Sequence, residues 1–84
     1  DDIEWILRVD GHTDERPIST ARFPSNWELA SARAISVVKF LVQSGIPPEN
    51  LVAAGFGQFQ PIDGRQDEIA YRRNRRIEFK LDQR

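Results

Sequence analysis

The chain reads as an α/β (α+β) two-layer sandwich, a small mixed sheet with helices on one face. Three observations predict it. An apolar, β-branched run opens the chain and ends at glycine; a long amphipathic helix with marked ends fills the middle; an alternating stretch lies near the end. The 84 residues make a single domain with little margin, since a chain this short buries only about 60–65% of its unfolded surface.

Residues 3–10, IEWILRVD, combine β-branched and aromatic side chains and stop at Gly11. Trp5, Ile6 and Leu7 are consecutive, which fits a strand covered on both faces in its middle better than an edge strand. Residues 11–25 hold His, Thr, Asp, Pro and Ser and should form a long loop, unusual in so short a domain and often functional. Ser25 and Glu28 have capping-box spacing: the Ser25 hydroxyl accepts from the Glu28 N–H while the Glu28 side chain reaches back. The helix then carries an apolar stripe through Leu29, Ala30, Ala34, Val37, Val38, Leu41 and Val42. Ser44-Gly45, with Pro47-Pro48 beyond, ends it. Residues 51–55 read as a short strand, 56–62 as a glycine-broken loop with aromatics, 65–74 as a short polar helix and 76–81 as a strand with one wet face.

A net charge of −1 gives no global field toward nucleic acid or anionic lipid. Arg72, Arg73, Arg75 and Arg76 cluster, but a solvated basic helix end explains them without a phosphate-tracking surface. The absence of cysteine excludes disulfides and thiolate metal sites. No apolar run approaches the ~20 residues of a membrane span. The abrupt start at Asp1 reads as that of a piece of a longer protein, with targeting and anchoring segments elsewhere.

The stretch VDGHTDERPI, residues 9–18, concentrates the candidate chemistry. One histidine without cysteines or an HExxH pattern is a poor basis for zinc. Thr13 and His12 are adjacent, and neighbours in an extended segment point to opposite sides, which disfavours a nucleophile–base pair. His12 is better read as a packing or hydrogen-bonding residue. Asp14 has two readings, a ligand-binding acid before a helix N-terminus or a loop-capping aspartate accepting backbone N–H groups. Arg33 is either a solvated or salt-bridged helix residue or a carboxylate-binding fork with room left by its alanine neighbours. It lies seven positions after Asn26, so the two share a helix face.

Four blocks in register are similar to the OmpA-like peptidoglycan-binding domain. They are Gly11-His12-Thr13-Asp14; Asn26-x-x-Leu29-x-x-x-Arg33-Ala34; Gly55-Phe56-Gly57 with Pro61; and Asn74-Arg75-Arg76-Ile77-Glu78. The stretch FPSNWEL after a lengthened loop resembles the MotB-type branch. The resemblance implies a periplasmic, non-catalytic domain without cofactor or metal. It would bind peptidoglycan through the diaminopimelate residue of the stem peptide and anchor a membrane protein, such as one of a flagellar motor. Asp14 would hold the ammonium and Arg33 the carboxylate, with Asn26 and Arg75 supporting or bordering the pocket and Thr13 adding backbone or hydroxyl contacts. The rival is a protein-interaction module on the same fold without wall binding.

Three sequence departures from the family bear on the pocket rim. Ala30 stands where the LSxxRA block has serine, the loop after Asp14 is longer and lacks a glycine, and Ala70-Tyr71 replaces a common Gly-Arg. The family's first strand and helix have no counterpart here. The resulting expectation is an uncovered apolar face, and with it either lower stability than the full domain or assembly with a second copy.

Overall fold

The computed structural model describes residues 4–83. Strand β1 spans Trp5–His12, helix α1 Asn26–Gln43, strand β2 Leu51–Gly57, helix α2 Glu68–Asn74 and strand β3 Arg76–Gln83, with a 3₁₀ turn at Pro48–Asn50. The sheet order is β2-β1-β3. β2 runs parallel to β1 and β3 antiparallel to it, so the sheet is mixed as expected. Among the described residues no helix is long and apolar enough to cross a membrane.

Central β1 is covered on both faces only in its second half, where Val9 is 0% and Asp10 1% exposed; Trp5 at its start is 45% exposed. Gly11 does not end the strand, which continues through His12 because both residues still pair with β2 and β3. What Gly11 supplies is space. A Cβ there would lie 2.1 Å from the Ala30 carbonyl oxygen, and one at Gly55 would lie 2.1 Å from Ser31 Oγ. Two glycines facing small helix residues let α1 lie directly on β1 and β2, burying Ala30 and Ala34 completely. The rest of the stripe is less buried, and Val42 is 36% exposed.

Ser25 caps α1, though not by the predicted reciprocal pattern. Its Oγ accepts from the Trp27 N–H at 3.2 Å and its hydroxyl donates to the Glu28 carboxylate, so Glu28 binds the capping side chain itself. The Ser25–Glu28 bond also lowers the Glu28 pKa. At the other end the Ile46 N–H bonds to Leu41 O (3.1 Å) and the Gly45 N–H to Val42 O (3.0 Å). That is a Schellman motif, with Gly45 at φ +108° in the region open to glycine.

The sheet face away from α1 carries a charged ladder. Arg8 pairs with Asp10 at 2.7 Å, and Glu78 bridges Arg76 and Lys80. This is the wet face expected of β3. Its other face is apolar and open: Phe79, opposite Val9, is 55% exposed and Leu81, opposite Leu7, is 62% exposed.

Candidate functional site

β1 delivers the chain into the 13–25 loop at the edge of α1. The Thr13 N–H donates to Gly57 O at 2.9 Å and the Thr13 hydroxyl to Asp14 O at 3.0 Å. Both Thr13 groups are therefore spent on shaping the loop. Asn26, the first residue of α1 and buried, is a staple as well: its Nδ2 donates to Arg16 O and to Gln58 Oε1, each at 3.1 Å. One side chain thus ties the loop, the helix start and the end of β2 together.

Asp14 is 6% exposed, and its carboxylate is saturated. Oδ1 accepts from the Arg16 backbone N–H (2.9 Å) and Arg16 Nε (3.2 Å); Oδ2 accepts from Arg16 Nη2 (2.6 Å) and Arg75 Nη1 (2.8 Å). Burial alone would raise its pKa, but the guanidiniums of Arg16 and Arg75 outweigh it and bring the group down to about 2. Asp14 is thus a loop-capping acid that accepts the Arg16 N–H, and the guanidiniums of Arg16 and Arg75 also converge on it.

Around it stands a pocket of about 380 Å³, whose wall includes Asp14, Arg16, Asn26, Leu29, Arg33 and Arg75. Every predicted binding residue, Thr13 included, lines it. Arg33 is exposed, and no ion pair or hydrogen bond of its guanidinium is found among the described residues. Arg75 is clamped between Asp14 and Glu68 (3.2 Å), while Arg16 lies 3.5 Å from Glu68 and 4.6 Å from the centre of the Tyr71 ring.

The sequence did not single out Arg16, Glu68 or Gln58, and marked Tyr71 only as a departure at the pocket rim. Arg16 had a signal: an acid and an arginine two positions apart in extended chain share a side, as Arg8/Asp10 and Asp63/Arg65 also do. His12 is a packing residue. Its ring stacks on Phe56 at 5.0 Å and 7°, both nitrogens are buried without a partner among the described residues, and burial followed by the charge of Arg76 lowers its pKa.

A sequence profile of the OmpA family matches residues 2–75. The chain belongs to the OmpA family. Over 73 residues it is 36% identical to motility protein B of Helicobacter pylori, covering 87% of this chain and 28% of that protein. It is 36% identical over 72 residues to the peptidoglycan-associated lipoprotein of Pseudomonas aeruginosa, covering 86% of this chain and 40% of the lipoprotein. The chain thus spans well under half the length of these relatives. The crystal structure of the C-terminal domain of Helicobacter pylori MotB superposes with a TM-score of 0.86 at 33% identity, covering 93% of this chain and 59% of that one. This MotB-like, OmpA-like fold is a structural domain rather than an enzyme.

Proposed function

We propose that this chain binds peptidoglycan non-covalently through the diaminopimelate residue of the stem peptide, with Asp14 receiving the ammonium and Arg33 the carboxylate. The observation that carries the proposal is the pairing in one pocket of a buried, ionised carboxylate with an arginine that has no partner among the described residues. A zwitterionic amino-acid end needs those two groups and little else. The other arginines on Asp14 are evidence that its carboxylate is built to hold cations. Arg75 and Asn26 border the site and keep the loop in place, and Thr13 acts through the backbone. In the parent protein the domain would serve as a periplasmic wall anchor for a membrane protein, of the inner membrane on its likeness to the periplasmic domain of Helicobacter pylori MotB. The open face of Phe79 and Leu81 supports the further expectation of lowered stability or pairing with a second copy, which sedimentation velocity tests.

Co-sedimentation with purified diaminopimelate-type sacculi tests the wall reading. Wild type should pellet, and Asp14→Ala and Arg33→Ala should stay in solution, since loss of one member of a desolvated pair costs about 2–5 kcal/mol. Circular dichroism establishes that the variants are folded. If folded wild type stays in the supernatant, wall binding is excluded for this chain and the interaction-module reading takes its place.

A further inference from the structure

On the reading of the pocket given above, Asp14 faces a difficulty that the sequence does not show. A carboxylate offers about four lone-pair directions, and four donors already fill them, three from Arg16 and one from Arg75. A ligand ammonium has no vacancy to enter. One resident cation has to leave.

The geometry favours Arg16 as the group that moves. Arg75 is the more buried of the two and is also bonded to Glu68 through its other guanidinium nitrogen. The Arg16 side chain is 48% exposed, and it already touches the places to which it could retreat. Its Nη1 lies 3.5 Å from Glu68 Oε1 and its guanidinium sits over the Tyr71 ring. A small rotation away from Asp14 exchanges a carboxylate for a tighter contact with Glu68 while keeping the cation–π contact. Asp14 would then keep the Arg16 backbone N–H and Arg75, leaving one direction on each oxygen open to an ammonium.

We propose that Arg16 is a resident stand-in for the ligand's ammonium, an internal competitor that sets the selectivity of the pocket. A lone amine gains nothing by replacing one cation on Asp14 with another. A ligand that also places a carboxylate on Arg33, which has no partner among the described residues, gains a second interaction, and only such a ligand displaces Arg16. Arg16 is therefore a specificity-determining residue that tightens the requirement for both charges at once.

Calorimetric titration of the whole chain with the soluble stem tripeptide ending in diaminopimelate tests this. Arg16→Gln should bind that peptide about fivefold more tightly than wild type, because the competing ion pair, half-exposed on one side, is worth about 1 kcal/mol. The same peptide lacking the side-chain amine should show no gain. Arg22→Gln, an equal charge change on the same loop beside Phe23, should leave affinity unchanged. Weaker or equal binding of the diaminopimelate peptide to Arg16→Gln overturns the proposal, as does a matching gain in Arg22→Gln. If that peptide binds wild type but not Asp14→Ala, the ligand reading stands whatever Arg16→Gln does. If it binds neither wild type nor Arg16→Gln, the ligand reading fails and the competitor role fails with it.

Discussion

Gly11→Ala should be among the most damaging single-methyl changes in this chain. The added Cβ would lie 2.1 Å from the Ala30 carbonyl oxygen and 3.0 Å from its carbon. Ordinary contact begins near 3.5 Å, so the two backbones would have to separate by roughly 1 Å. Neither side has a rotamer to swing away, because strand backbone meets helix backbone. Overpacking of a well-filled core costs about 1–3 kcal/mol and sometimes more, and a backbone-on-backbone clash belongs at the upper end, about 3 kcal/mol. For a domain of this size that lowers the melting temperature by roughly 12–24 °C. The helix pushed outward carries Asn26 and Arg33, so ligand binding should fall as well. Thermal and urea unfolding followed by circular dichroism measure the loss. Gly64→Ala is the control, with nothing within 4 Å of its added Cβ, and should change stability by less than about 0.5 kcal/mol. A Gly11→Ala chain melting within a few degrees of wild type would refute the close approach of α1 to β1.

Three further outcomes follow from the geometry. Arg33→Ala should lose binding but less than about 0.5 kcal/mol of stability, since Arg33 is exposed and has no partner among the described residues; a large drop in the urea midpoint would show a structural role instead. Asn74→Ala should cost about 2–4 kcal/mol, because buried Asn74 accepts from the Ile62 and Asp63 N–H groups and donates to Asp63 O, three backbone groups left unpaired by its removal. Acid should weaken the fold in two windows, read from urea midpoints against pH. Below 6.5 the unfolded chain protonates its histidine before the folded chain protonates His12, so stability falls with pH, and His12→Phe should flatten that slope. Asp14 contributes about 2 kcal/mol that is complete above its ordinary value of 3.8 and lost as pH falls through about 2; Asp14→Asn should remove that lower window.

Much of the fold was legible because it rests on local signals. Ser25 before an apolar stripe and Gly45 after it bracket α1, and Arg76, Glu78 and Lys80 alternate as they do in β3. Boundaries slipped where pairing overrode local preference: Gly11 stays in β1 because Gly55 and Ile77 pair with it, and β2 runs on to Gly57 because Gly57 pairs with His12. Asp14, Arg33 and Asn26 could be singled out by charge and position. The contacts that organise them could not. Arg75 reaches Asp14 from 61 positions away and Gln58 reaches Asn26 from 32; the family resemblance placed Arg75 at the pocket without its bond to Asp14, and nothing marked Gln58. The saturation of Asp14 by Arg16 depends on side-chain direction in a loop, which periodicity does not specify.

The most direct test of the pocket is a crystal structure of the chain soaked or grown with the diaminopimelate stem tripeptide. The account predicts the side-chain ammonium within about 3 Å of an Asp14 carboxylate oxygen, the adjoining carboxylate on the Arg33 guanidinium, and Arg16 turned toward Glu68. A peptide bound elsewhere, or one whose ammonium lies away from an Asp14 still clasped by Arg16, would contradict it.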